Sequence, residues 1–129
     1  MRKFILLADD NPTLGSLTRN YIKAHNLEVC GEASDGIDAI EKVLDLSPDL
    51  IVMDLSMPRK NGLEAARELK DKMPRVPIIL FTRHENEVRV SDAIEAGISA
   101  VISKLEPQKL LPEVLSLLGR RGQSASVTV

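Results

Sequence analysis

Five short apolar runs punctuate the chain: Phe4–Ala8, Leu27–Cys30, Leu50–Met53, Ile78–Phe81 and Ala100–Ile102. Each has the length of a buried strand. Several lack polar alternation, the pattern expected when both faces of a sheet are covered. Between the runs lie longer stretches with helical periodicity. In the first, Leu14, Leu17 and Tyr21 share a face, and Asn11-Pro12 supplies a cap and a first-turn proline. The second opens after Asp35-Gly36, carries Ile37, Ile40 and Leu44, and ends at Ser47-Pro48. The third follows Asn61-Gly62 with Leu63, Ala66, Leu69 and Met73, and stops before Pro74. The fourth is expected from Glu85 to Ala96, with Gly97 just past its end. Its weak apolar face predicts light packing and mobility. The fifth carries Leu110, Leu111, Val114, Leu115 and Leu118 at helical spacing.

Strict strand–helix alternation implies a parallel sheet with helices on both faces. Right-handed crossovers leave few topologies for five such units. The expected architecture is α/β: a flavodoxin-like, doubly wound (βα)5 fold with strand order 2-1-3-4-5. A chain of 129 residues suits one domain, here residues 1–118. Residues 119–129 are rich in Gly, Ser and Arg and read as a flexible tail or the start of a linker.

Composition narrows the picture. The only aromatic residues are Phe4, Tyr21 and Phe81, so the core must be aliphatic. A net charge of −2 gives no reason to expect nucleic-acid binding. No apolar run is long enough to span a bilayer, and Asp9-Asp10 interrupts any signal-peptide core. The single cysteine, Cys30, excludes an internal disulfide and reads as a small buried hydrophobe; a reduced, cytoplasmic setting fits. His25, near the end of the first helix, suits the negative end of the helix dipole.

In a doubly wound sheet, ligands bind beyond the carboxyl ends of the strands. Strand one ends in Asp9-Asp10, strand three in Asp54, strand four in Thr82 and strand five in Ser103-Lys104. A lone acidic residue at a strand end ordinarily solvates a loop or caps a helix. Three carboxylates, a hydroxyl and an ammonium on one edge form a site. Carboxylates this close repel one another unless a cation intervenes. Oxygen ligands favour Mg²⁺, with Mn²⁺ as the alternative. Asp54 is then placed to act as a nucleophile toward phosphorus, with the metal and Lys104 neutralising charge on the transferring oxygens.

These residues resemble the receiver domain of bacterial two-component response regulators over about Lys3 to Leu118. The matching features are Asp9-Asp10, Asp54 in Asp54-Leu55-Ser56-Met57-Pro58 followed by Asn61-Gly62, Thr82, and Lys104. The resemblance implies that Asp54 is the phosphoacceptor. It implies that Asp10, Asp54 and the Ser56 carbonyl ligate Mg²⁺, with Asp9 acting through metal-bound water. Lys104 and the Thr82 hydroxyl would contact the phosphoryl oxygens, and the donor would be a histidine kinase or a small acyl phosphate. The expected output is a switched protein-interaction surface on the fourth helix, fifth strand and fifth helix, with a homodimer as one use of it. No turnover of external substrates is expected.

Three positions depart from the family pattern. Val101 stands where an aromatic switch residue is usual, Arg83 where a small residue is usual, and Leu105 where a proline is usual. Ser56 and His84 occupy positions that tune phosphoryl lifetime in the family. Two other readings use the same residues. A phosphatase of the haloacid dehalogenase type would need a second Asp where Ser56 stands. A pure interaction module is motivated by Val101 and Arg83 and opposed by the intact acidic pair, acceptor and lysine.

Overall fold

The computed structural model describes residues 2–11, 19, 22, 23 and 25–119. The strands are β1 (Lys3–Ala8), β2 (Leu27–Ala33), β3 (Leu50–Met53), β4 (Ile78–Thr82) and β5 (Ala100–Ser103). All pair in parallel, in the order β2-β1-β3-β4-β5. The expected topology is therefore present. Alternate residues of each strand feed two separate cores. Leu6, Ala8, Ile51, Met53 and Leu80 pack with Ala39, Val43, Ala65, Ala66, Leu69 and Ala93 on one face. Ile5, Leu7, Leu50, Val52, Ile79 and Phe81 pack with Ile22, Leu110, Val114 and Leu117 on the other. Burial on both faces is the physical reason β3 and β4 show no polar alternation. Both cores are almost wholly aliphatic, as composition required; Phe4 stands half exposed.

Four helices are described in full: Gly36–Leu46, Gly62–Lys72, Val90–Glu95 and Leu110–Gly119. Arg19, Ile22 and Lys23 are helical too. The expected face of Leu14, Leu17 and Tyr21, Pro12 and residues 120–129 lie outside the described residues. Asn61 caps the Gly62–Lys72 helix with a full capping box: its side chain accepts from the Glu64 amide, and Glu64 accepts from the Asn61 amide. Ser47 ends the Gly36–Leu46 helix in the left-handed region (φ 46°), and Gly97 (φ 79°) follows the Val90–Glu95 helix.

The fourth helix differs from its expected span. Glu85–Glu87 form a single 3₁₀ turn, and the α-helix covers only Val90–Glu95. Val88 and Arg89 between them are extended, because Val88 turns toward the core instead of continuing the helix. β2 runs past Cys30 to Ala33. Ile5 pairs with Val29 and Leu6 with Gly31, so Cys30 is the extra residue of a bulge. It is half-buried rather than core, and that burial pushes its thiol pKa up.

Asp35 caps the Gly36–Leu46 helix by accepting from the Asp38 amide at 2.8 Å. That bond, then the Arg59 guanidinium, holds its carboxyl below the ordinary 3.8. A depressed folded pKa adds stability above the unfolded value, and this is lost as pH falls through the folded one. Urea unfolding across a pH series should therefore show a shallower loss of stability below about pH 4 for Asp35→Asn, which keeps the cap but cannot titrate. Identical acid slopes would contradict this.

Candidate functional site

The backbone places each side chain of the site by extending the sheet one residue. The Asp54 amide donates to the Ala8 carbonyl at 2.8 Å, and the Asp9 amide to Ala33 at 2.8 Å. The Lys104 amide donates to the Thr82 carbonyl at 2.9 Å. Asp9, Asp54 and Lys104 therefore leave the sheet at fixed positions on one edge. Gly62 lies directly beneath: its amide donates to the Leu55 carbonyl at 2.8 Å, and a Cβ there would sit 2.4 Å from the Asp54 carbonyl oxygen.

Lys104 is the centre of the charge arrangement. Its Nζ donates to Asp9 Oδ2 at 2.6 Å and to Asp54 Oδ2 at 3.0 Å, and its side chain is only 6% exposed. Asp9 Oδ1 accepts from the Asn11 amide at 2.8 Å. Asp54 Oδ1, by contrast, is buried without a hydrogen-bond partner among the described residues. A buried carboxylate oxygen left unpaired costs free energy that a cation recovers. Asp9, Asp10 and Asp54 each offer an oxygen, and these oxygens lie within 4.8 Å of one another. One ammonium against three carboxylates leaves the cluster anionic. An all-oxygen donor set with surplus negative charge suits a hard divalent cation.

A cavity of about 160 Å³ opens over these groups, lined by Asp10, Asn11, Asp54, Ser56, Arg83, His84 and Lys104. Five of the six site residues named from the sequence meet here: Asp10, Asp54, Ser56 and Lys104 line the cavity, and Asp9 is tied to it through Lys104. Thr82 does not line it. It is fully buried, and its hydroxyl accepts from the His84 amide at 3.1 Å. Asn11, expected from the sequence only as a helix cap, also lines the cavity; its place directly after the acidic pair is the signal that could have found it. Arg83 and His84 are exposed at the rim. Val101 is half-buried against the first core, and Leu105 is 77% exposed. The loop turns without its usual proline: the Leu105 amide donates to Ser103 Oγ at 3.0 Å, and Pro107 opens a 3₁₀ turn leading into the last helix.

A parallel sheet in this order, with an acidic cluster and a buried lysine at its carboxyl edge, defines a receiver-type signalling domain. The profile of the response regulator receiver domain matches residues 5–116, and the chain belongs to that family. It is 33% identical over 112 residues to the chemotaxis protein CheY of Thermotoga maritima, covering 86% of this chain and 93% of that one. It is 39% identical over 109 residues to the nitrate/nitrite response regulator protein NarL of Escherichia coli K12, covering 83% of this chain and 50% of that one. A protein-glutamate methylesterase/protein-glutamine glutaminase of Myxococcus xanthus is 39% identical over 102 residues, 78% of this chain and 29% of that one. The chain thus spans half or less of the last two relatives. Among solved structures, a LuxR-family two-component response regulator from an Aurantimonas species superposes with a TM-score of 0.86 at 29% identity, covering 97% and 91% of the two chains. The response regulator domain of Thermotoga maritima CheB gives 0.80 at 28% identity, covering 94% and 96%. The family is a signalling family that takes phosphoryl groups from histidine kinases and binds Mg²⁺ at its acidic pocket. No helix among the described residues is long and apolar enough to cross a membrane.

Proposed function

We propose that Asp54 is the phosphoacceptor and that its phosphorylation switches a protein-interaction surface. The observation that carries this is the asymmetry of its carboxylate. One oxygen is held by Lys104, while the other has no partner among the described residues and belongs to a side chain that lines the cavity. Asp10, Asp54 and the Ser56 carbonyl would hold Mg²⁺ directly and Asp9 through water. The metal, when bound, supplies charge neutralisation for the transferring oxygens. An Asp54 oxygen bonds to phosphorus as the P–N bond of a phosphohistidine, or the P–O bond of an acyl phosphate, breaks. The electron pair leaves with the imidazole or the carboxylate. Lys104, already desolvated beside Asp54, then pairs with the new phosphoryl oxygens.

The Thr82 hydroxyl accepts from the His84 amide and keeps its own proton to donate to the phosphoryl group, which couples the site to the Thr82–His84 segment. That segment leads into the Val90–Glu95 helix. Val90, Ile94 and Leu105 are exposed apolar residues of this helix and of the loop after β5, and they support a readout surface formed with β5 and the Leu110–Gly119 helix. A second copy of the chain is the proposed occupant. Residues 1–118 would form the receiver unit and 119–129 a linker or tail, acting in the cytoplasm. Turnover of external substrates is disfavoured because Ser56 offers no general acid. Solution sizing with beryllofluoride and Mg²⁺ tests the proposal. Together they should raise the apparent mass and shift the amide resonances of Asp54, Thr82 and Lys104. Spectra and size unchanged from the untreated protein would refute the switch.

A further inference from the structure

Arg59 sits in the loop between Asp54 and the Gly62–Lys72 helix with φ of +64°. The left-handed region is unfavourable for a side chain with a Cβ, and helix ends are its usual place. Here it falls inside the loop that carries Ser56. The Arg59 guanidinium reaches across to Asp35, with Nη2 2.7 Å from Asp35 Oδ2. Asp35 is itself fixed, since its other oxygen accepts the Asp38 amide. One residue further on, Gly36 packs so closely that a Cβ would lie 2.0 Å from the Lys60 carbonyl oxygen. The loop is held at its far end as well, where the Lys60 amide donates to the Pro58 carbonyl at 2.7 Å and the Lys60 ammonium reaches Glu68 at 3.1 Å.

We infer that Arg59, clasped by Asp35, is a positioning residue that fixes the loop from Leu55 to Asn61 and with it the Ser56 carbonyl. The inference rests on the reading of Ser56 as a metal ligand. The strained backbone of Arg59 persists because its side chain finds an anchored anion, so strain and ion pair act as one device. The clasp works through loop geometry and touches no reacting group. Its loss should therefore weaken cation binding at the site while leaving global stability nearly unchanged.

The test uses Arg59→Gly, which relieves the backbone strain and removes the clasp, and Asp35→Asn, which keeps the helix cap but removes the charge. Titration of the intact chain with Mg²⁺ alone, followed by the amide resonances of Leu55 to Gly62, should show affinity reduced about two- to fivefold in each, the range an exposed ion pair supports. The double variant should be no weaker than either single one. Thermal unfolding of Arg59→Gly should match or exceed that of the parent chain. Parental Mg²⁺ affinity in Arg59→Gly, or additive losses in the double variant, would overturn the inference. Mg²⁺ titration does not require Asp54 to be phosphorylated. Failure of the acceptor reading would show as an unlabelled parent chain with its Mg²⁺ affinity intact.

Discussion

Asp54→Asn is expected to abolish phosphate incorporation from acetyl phosphate while leaving the fold in place. An amide oxygen is a far poorer nucleophile toward phosphorus than a carboxylate oxygen, and it brings no charge to the cation. The fold should survive because Asn is nearly isosteric, and the Asp54 amide bond to Ala8 does not involve the side chain. Lys104 keeps its contact with Asp9, so no buried charge is stranded. Losing one charged hydrogen bond while relieving repulsion among three carboxylates should change stability by only about 1 kcal/mol. The variant also separates site from fold: loss of labelling with an unchanged unfolding curve assigns the defect to chemistry. Labelling at the parental level in this variant would remove Asp54 from the acceptor role.

Gly62→Ala is expected to damage stability and site together. Alanine is the better helix former by about 1 kcal/mol, so propensity alone predicts a gain. Geometry opposes it. The new Cβ would lie 2.4 Å from the Asp54 carbonyl oxygen and 3.0 Å from Leu80 Cδ2. The oxygen belongs to a backbone pinned by the sheet, and Leu80 is fully buried, so neither can yield cheaply. Overpacking of this kind costs roughly 1–3 kcal/mol. We expect net destabilisation at the upper part of that range and a fall in Tm of several degrees. Slower labelling should accompany it, because relief of the clash must move Asp54. Differential scanning calorimetry and a labelling time course read both effects. A raised Tm would show that propensity outweighs the contact.

A switch from mostly inactive to mostly active needs roughly 5 kcal/mol of differential stabilisation. Phosphorylation adds about one to two negative charges beside Lys104, and charge-assisted hydrogen bonds from Lys104 and a reoriented Thr82 can contribute much of that. Arg83 adds a further cation at the rim. Val101 lacks the ring that the family's usual relay moves, and the proposed route outward runs through the Thr82–His84 segment.

The strands were legible because an aliphatic run buried on both faces leaves an unbroken apolar signal, and Leu50–Met53 shows this without a residue to spare. The ligand edge was equally legible, since a polar residue that ends such a run must stand at the sheet's rim. Asp9, Asp54 and Lys104 did so. Packing decided the rest. No Gly or Pro marks the break at Val88 and Arg89, which arises because Val88 finds room against the core. The Cys30 bulge is a matter of register and leaves no local trace. The bond between Thr82 and the His84 amide depends on a loop conformation. The clasp of Arg59 on Asp35 joins residues far apart in sequence, one of them in a conformation its side chain does not favour.

The most direct test is to locate the phosphoryl group itself. The unsubstituted chain would be incubated with acetyl phosphate and Mg²⁺, trapped by borohydride reduction of the aspartyl phosphate, digested and mapped by mass spectrometry. The reduced residue should be Asp54 alone, and chelation of Mg²⁺ before the reaction should eliminate it. Modification at another residue, or undiminished modification of Asp54 in the presence of chelator, would contradict a metal-dependent acceptor at this position.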